Sequence, residues 1–132
     1  MKYLLDTNIC IYIIKRKPPE IFDRFQDCDV GDVGISTITV SELTYGTQKS
    51  RYPEKNQAAL DQFLLPLEIV DFDMSAAQAY GAIRAQLEKQ GTPIGPLDFL
   101  IAAQALSLGI SLITNNEKEF LRVPGLSVEN WV

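Results

Sequence analysis

The sequence predicts a three-layer α/β/α fold around a central, mostly parallel sheet, within one domain over residues 1–132. Short apolar segments alternate along the chain with longer, helix-length segments. Proline and glycine fall singly between these segments, as they do in turns. Strands that alternate with helices favour right-handed crossovers and a parallel sheet covered on both faces. Functional groups in such folds lie at the carboxyl ends of the strands.

The elements follow one another in a repeating strand and helix order. The predicted strands span residues 2–5, 33–36, 67–72 and 110–113, and the predicted helices span 8–16, 20–26, 37–48, 53–65, 75–90 and 97–108. Thr37 or Thr39 is expected to cap the third helix. Gly91 and Gly109 follow the last two long helices and are expected to end them. After residue 113 we expect a polar turn, a short helical turn and a tail that carries Trp131.

Histidine is absent from the sequence. This absence excludes Ser-His-Asp and Cys-His catalytic sites, and ribonuclease sites that rely on histidine without a metal. The net charge of -5 argues against a protein that binds nucleic acid through a broad basic surface. Any hydrolysis must therefore use carboxylates, and a nuclease of this composition needs metal ions and local basic residues.

The sequence also predicts a cytoplasmic location. No apolar run approaches the ~18 residues that a membrane span needs, and the opening MKYLLD lacks the features of a signal peptide. Cys10 and Cys28 form no CxxC motif and fit reduced, structural thiols better than a disulfide or a zinc site. We expect no association with a membrane.

Four polar positions are predicted to meet at one edge of the sheet. Asp6 follows the first strand, Glu42 lies on the helix after the second, Asp98 opens the last long helix, and residues 114–116 follow the last strand. Strand exits and helix starts share one edge of a parallel sheet. Convergence further requires that the helix of Asp98 begins at that edge and that Glu42 points back toward it.

Each of these residues also has a purely structural interpretation. Asp6 and Asp98 are placed as helix caps, and Asp98 also as a first-turn acid that the helix dipole favours. Glu42 fits an exposed helical glutamate, and the segment 114–116 fits a polar turn. The sequence alone leaves both interpretations open.

A joint role for the carboxylates would require a cation. Two carboxylates ~5 Å apart repel by about 3 kcal/mol at an effective dielectric of ~20, so a cluster takes up protons or a metal ion. Mg²⁺ prefers oxygen ligands and typically uses one or two protein carboxylates together with substrate phosphate. Such an ion can activate a water for attack on phosphorus. The cluster is therefore compatible with a nuclease.

Four blocks of sequence carry a resemblance to a known family. They are LLDTN at residues 4–8, SELTYG at 41–46, GTPIGPLDFLIAAQALSLG at 91–109 and LITNNEKEF at 112–120, followed by VPGL and ENW near the end. Over residues 1–131 the chain resembles the VapC family of PIN-domain toxins, especially its enterobacterial-type branch. The resemblance implies a compact PIN fold, a homodimer, a VapB-type antitoxin as partner and an acidic pocket that binds Mg²⁺ or Mn²⁺.

The resemblance also assigns candidate site residues. Asp6, Glu42 and Asp98 match the acidic positions of the family, which implies that they are catalytic and hold the metal. Where many PIN domains carry an aspartate two residues after the threonine, this sequence has Asn116. Glu119 or Glu117 is then the possible substitute. Asn116 and Glu119 complete the catalytic candidates, and the number of metal ions, one or two, stays open.

By resemblance, the expected activity is that of a Mg²⁺-dependent, site-specific endoribonuclease that cuts tRNA, notably initiator tRNA in its anticodon loop. Bases in a loop are unstacked and can be recognised singly. Candidate RNA contacts are the basic runs at residues 15–17 and 49–55, with Tyr45 and Tyr52 for stacking, although such runs are more often a solvated surface. The alternatives are a PIN nuclease of RNA processing that is not a toxin, and a catalytically silent PIN binding module.

Overall fold

The computed structural model of the protein describes residues 1–132. Five strands are present: β1 (Tyr3–Leu5), β2 (Val33–Ser36), β3 (Glu68–Val70), β4 (Ser111–Ile113) and β5 (Val128–Glu129). Seven helices connect them: α1 (Thr7–Lys15), α2 (Pro19–Gln26), α3 (Thr37–Gln48), α4 (Pro53–Leu64), α5 (Met74–Lys89), α6 (Pro96–Leu108) and α7 (Glu117–Phe120). None of the helices combines the length and apolarity that crossing a bilayer requires.

All five strands form one sheet in the order β3-β2-β1-β4-β5, and every neighbouring pair is parallel. Leu4 in the central strand lies opposite Gly34 on one side and Leu112 on the other. The expected parallel sheet is confirmed, and it contains no antiparallel strand. The carboxyl ends of β1, β2 and β4 therefore lie at the same edge.

Helices cover both faces of the sheet. Leu4 and Leu112 belong to a core cluster with residues of α5 and α6, whereas their chain neighbours Leu5 and Ile113 belong to a second cluster with residues of α1 to α4. Successive side chains of a strand point to opposite faces, so the two clusters lie on opposite sides of the sheet. This arrangement confirms the predicted three-layer α/β/α fold.

The observed ends of the six predicted helices lie within one residue of the predicted ones, but the predicted N-cap of α3 was wrong. Gly91 and Gly109 follow α5 and α6 with φ of 74° and 67°, the left-handed conformation that ends helices. The N-cap of α3 is Ser36, whose side chain accepts a hydrogen bond from the amide of Ile38 at 3.0 Å. The prediction of Thr37 or Thr39 as the cap was wrong, because the last residue of β2 already has the extended backbone that an N-cap needs.

Strand β5 was missed from the sequence. It has two residues, too few to show an alternating pattern, and it pairs with β4 through Leu112 and Val128. The tail that follows is held by Trp131, which is buried and packs edge-on against Tyr3 with ring centroids 5.4 Å apart. The predicted tail therefore completes the sheet.

Candidate active site

Asp6 lies at the carboxyl end of β1 and caps the following helix with one of its two carboxylate oxygens. Its Oδ1 accepts a hydrogen bond from the backbone amide of Ile9 at 2.9 Å, so it is the N-cap of α1. Its Oδ2 accepts a hydrogen bond from the hydroxyl of Thr114, which follows β4. Only 5% of the residue is exposed. The carboxylate is thus fixed from both sides at the shared edge of the sheet.

Thr114 links Asp6 to the segment after β4. Its Oγ1 donates to Asp6 and accepts a hydrogen bond from the backbone amide of Asn116 at 2.9 Å. The threonine is fully buried, so its hydrogen bond to Asp6 is shielded from water. Asn116 therefore contributes to this network through its backbone. It is the N-cap residue of α7, but its side chain makes no capping hydrogen bond.

Glu42 points back toward the same edge from the second turn of α3. Its Oε1 accepts a hydrogen bond from the hydroxyl of Thr7 at 2.7 Å. Thr7 is the first residue of α1 and directly follows Asp6, so this contact brings the two acids together. Glu42 therefore points back toward the edge of the sheet where Asp6 lies, as convergence of the acids required. Thr7 was not among the predicted site residues, although its place in LLDTN next to Asp6 was a usable signal.

Asp98 lies in the first turn of α6, where the helix dipole favours an acid, but it is not the cap. The N-cap is Gly95, and no side chain makes a capping hydrogen bond there. The Asp98 carboxyl instead lies beside the carboxyl of Glu119 in α7, whose proximity helps to raise its pKa. A Cβ atom on residue 95 would lie 3.2 Å from Asp98 Oδ2, so the glycine leaves room for the carboxyl group.

Of the candidates for the fourth acidic position, the structure brings Glu119 to the cluster. Glu119 contacts Asp98, whereas the exposed Glu117 accepts a hydrogen bond from Asn130 Nδ2 at 3.0 Å. Asn116 supplies only the backbone contact to Thr114. The acidic cluster, as we define it, consists of Asp6, Glu42, Asp98 and Glu119.

The acidic cluster carries negative charge that no basic side chain balances. The ion pairs of the protein join Lys2 to Asp32, Arg24 to Glu129 and Arg84 to Glu88, and none includes a member of the cluster. Burial, followed by the hydrogen bond and charge of Glu119, raises the pKa of Asp98 to about 6. Burial also raises the pKa of Asp6, against the hydrogen bonds from Thr114 and Ile9 that lower it. The folded protein therefore favours a proton or a cation at this site.

Comparison with known proteins identifies the family of the chain. Residues 3–126 match the sequence profile of the family described as PIN domain. The chain is 51% identical to "Ribonuclease VapC2" of Haemophilus influenzae over 100% of its own length and 99% of the relative's. It is 46% identical to "tRNA(fMet)-specific endonuclease VapC" of Shigella flexneri over 99% and 98% of the two lengths. The chain belongs to the VapC branch of the PIN-domain family.

Solved structures of this branch share the fold of the chain. The DNA-bound VapBC structure from Salmonella typhimurium gives a TM-score of 0.95 at 46% identity and covers 100% of this chain and 99% of that one. VapBC2 from Rickettsia felis, bound to a fragment of promoter DNA, gives 0.91 at 41% identity with full coverage of both chains. The PIN fold extends over the whole VapC chain described here.

The donor set of this PIN domain fits a hydrated divalent cation. Every member of the acidic cluster offers carboxylate oxygens, the ligands that Mg²⁺ and Mn²⁺ prefer. No three acidic side chains stand close enough together to enclose an ion among them. Mg²⁺ keeps several of its waters and needs only one or two protein carboxylates. The spacing therefore suits a metal that is completed by water and substrate more than one held by protein ligands alone.

The raised pKa of Asp98 predicts how stability changes with pH in this PIN domain. Between the usual 3.8 and about 6 the folded chain binds more protons at Asp98 than the unfolded chain. The contribution of Asp98 to stability therefore falls as pH rises through this window. A pKa shift of this size corresponds to about 3 kcal/mol, which solvent screening of the half-exposed side chain reduces to about 1 kcal/mol.

Thermal unfolding of the metal-free protein between pH 4 and 7, compared with Asp98→Asn, isolates this contribution. We expect wild type to lose stability relative to Asp98→Asn as the pH rises, and added Mg²⁺ to restore it at neutral pH by binding to the folded state. A difference between the two proteins that stays constant across this range would contradict the assignment.

Proposed function

We propose that this VapC chain is the toxin of a type II toxin–antitoxin pair, and that it is a Mg²⁺-dependent endoribonuclease specific for the anticodon loop of initiator tRNA. The observation that carries the proposal is the acidic cluster at the carboxyl edge of the sheet, whose charge no basic side chain balances. The relatives named ribonuclease or tRNA(fMet)-specific endonuclease, 51% and 46% identical, support an RNA-cleaving activity and this substrate. Such a substrate implies a cytoplasmic location.

Asp6, Asp98 and Glu42 are the residues that would hold the metal, one or two of them directly and the rest through its bound waters, and Mn²⁺ is also suitable. Bound Mg²⁺ would neutralise phosphate charge and lower the pKa of a bound water, which supplies the nucleophile in a site without histidine. Thr114 and the amide of Ile9 fix both oxygens of Asp6. Thr7 holds one oxygen of Glu42 and leaves the other for water or metal. Asp98 must lose its proton before it can bind a cation.

Sequencing of RNA ends after brief induction, in a host that lacks the antitoxin, tests the proposed substrate. We expect new ends within the anticodon loop of initiator tRNA and arrest of growth. Purified protein should cut the same tRNA with Mg²⁺, and a chelator should stop the reaction. Cleavage without growth arrest would favour a PIN nuclease of RNA processing, and the absence of any cleavage would favour a silent binding module.

We propose a VapB-type antitoxin as the partner and expect a flexible basic segment of it to occupy the acidic cluster. The solved relatives from Salmonella typhimurium and Rickettsia felis are VapBC complexes, which supports the partner. An arginine pairs with carboxylates through two parallel hydrogen bonds and can take the place of a metal there. An antitoxin fragment whose arginines and lysines are all replaced should not inhibit cleavage, and full inhibition by that fragment would contradict the proposal.

We also propose that the chain forms a homodimer. Several large apolar side chains are exposed on the isolated chain, among them Leu65, Ile69, Met74, Leu97 and Leu108. Exposed apolar surface of this kind is commonly covered by a partner. Light scattering should give the mass of two chains at micromolar concentration. A fully active monomer at that concentration would refute the dimer.

A further inference from the structure

An exposed aromatic and basic surface lies next to the acidic cluster. Lys49 Nζ lies 4.9 Å from the ring centroid of Tyr45, and the Arg51 guanidinium carbon lies 5.6 Å from that of Tyr52. The two tyrosines are 66% and 57% exposed, so both rings are accessible to a ligand. The same pairing of ring and cation thus occurs twice at the end of α3 and in the turn that follows.

This surface is locally positive in a protein of net charge -5. Residues 45–55 contain the basic side chains Lys49, Arg51 and Lys55 and one acid, Glu54. None of the three basic residues takes part in an ion pair. Their charge therefore remains available to an anionic ligand.

Tyr45 lies one helical turn beyond Glu42 on α3, and residues three apart are neighbours on a helix surface. The space between α1, α3 and α4 forms a cavity of about 360 Å³ that is lined by Glu42 and Gly46, with Lys15 and Asn56 among its other residues. Glu42 belongs to both this cavity and the acidic cluster. Tyr45 is therefore one helical turn from a residue of the candidate active site, and its chain neighbour Gly46 lines the cavity that Glu42 also lines.

We infer that the Tyr45 ring, backed by Lys49, is a stacking platform for an unpaired nucleotide beside the cleaved phosphate. Proteins bind single-stranded nucleic acid by stacking bases on aromatic rings within a positively charged groove, which is the chemistry of this surface. Protein interfaces favour tyrosine but are depleted of lysine, so the paired lysine favours RNA over a peptide. The inference rests on the proposed RNA substrate, and it names residues that would select a loop over a duplex.

Binding measured in the absence of cleavage tests the platform. In an Asp98→Asn background, the probe is a fluorescein-labelled RNA hairpin with an unpaired loop, measured by anisotropy beside a fully paired duplex of the same length. Loss of one base stack predicts that Tyr45→Ala weakens hairpin binding about ten-fold and hardly changes duplex binding. Tyr45→Phe keeps the ring and should restore most of the affinity, whereas Tyr45→Leu, which keeps only apolar bulk, should not.

Lys49→Gln tests the charge of the platform. It should lower the slope of log affinity against log salt by about 0.7, the value for one phosphate contact on a single strand. Lys89→Gln, which changes an exposed lysine at the end of α5 in the opposite layer, is the matched control. Because the Tyr45 side chain is largely exposed, its variants should keep the parent melting temperature.

The outcomes separate the platform from the function on which it rests. Equal hairpin affinity of Tyr45→Ala and its parent would overturn the platform. If Tyr45→Ala binds the hairpin as its parent does, and if a co-expressed VapB antitoxin no longer neutralises the toxicity of a Tyr45→Ala chain, the surface would be assigned to the antitoxin. A parent that binds neither RNA would overturn the proposed function and the platform with it.

Discussion

Asp98→Asn and Asp6→Asn should each lower Mg²⁺-dependent RNA cleavage by at least about a hundred-fold, because even indirect partners of a metal typically contribute ten- to a hundred-fold. Neither change should unfold the metal-free protein. Asp98 makes no capping hydrogen bond, and its charge is disfavoured by burial and by Glu119. Asn at this position removes that charge at nearly constant volume, so its metal-free melting temperature should rise at neutral pH.

Asp6→Asn should have a smaller effect on stability. Asn keeps an oxygen that can cap α1 at Ile9, but its amide nitrogen cannot accept the hydrogen bond from Thr114. The lost hydrogen bond costs about 1 kcal/mol, and removal of a buried, disfavoured charge offsets it. We expect a metal-free melting temperature close to that of wild type.

Asp73→Asn is the matched control for both variants. Asp73 caps α5 through the amide of Ala76 at 3.0 Å and does not belong to the acidic cluster. Because Asn caps a helix about as well as Asp, both cleavage and stability should remain. Cleavage by the Asp6 and Asp98 variants at the rate of Asp73→Asn would contradict the catalytic role. Inactive variants that are also unfolded would contradict the stability argument.

The sequence predicted the edge at which the acidic cluster lies, because strand alternation alone implies a parallel sheet with shared carboxyl ends. It could not decide between a cap and a site residue at Asp6, since a carboxylate has two oxygens: one caps α1 at Ile9, and the other accepts a hydrogen bond from Thr114 at the shared edge of the sheet. It could not decide at Asp98 either, because the partner of that residue is Glu119 in α7. Such a contact depends on tertiary packing that local sequence patterns do not encode.

A very short strand and a backbone contact account for the other features that the sequence did not predict. Strand β5 has two residues and becomes visible only through its pairing with β4. The contribution of Asn116 is made by its backbone amide, which any residue other than proline could donate. The identity of residue 116 therefore carries little information about its contact, whereas the side chains of Glu117 and Glu119 point to different partners.

Glu119 is the acid expected to fill the fourth position of the site. Glu119→Gln removes the charge and the hydrogen bond that raise the pKa of Asp98, so this pKa should move back toward 3.8. If Glu119 only crowded Asp98, Mg²⁺ would then bind at lower pH and cleavage would be maintained. We instead expect Glu119 to support the metal site, so that cleavage by Glu119→Gln at neutral pH falls by at least about ten-fold. This is the lower end of the loss seen when a residue that supports metal ligands is replaced.

Glu117→Gln is the matched control, because it changes an acid two residues away whose contact is with Asn130. It should leave cleavage and the Asp98 pKa as in wild type. Asn116→Ala, which preserves the backbone amide donated to Thr114, should also have a small effect. The measurements are cleavage rates at neutral pH and NMR titration of the Asp98 carboxyl. A larger loss of cleavage in Glu117→Gln or Asn116→Ala than in Glu119→Gln would move the fourth position away from Glu119.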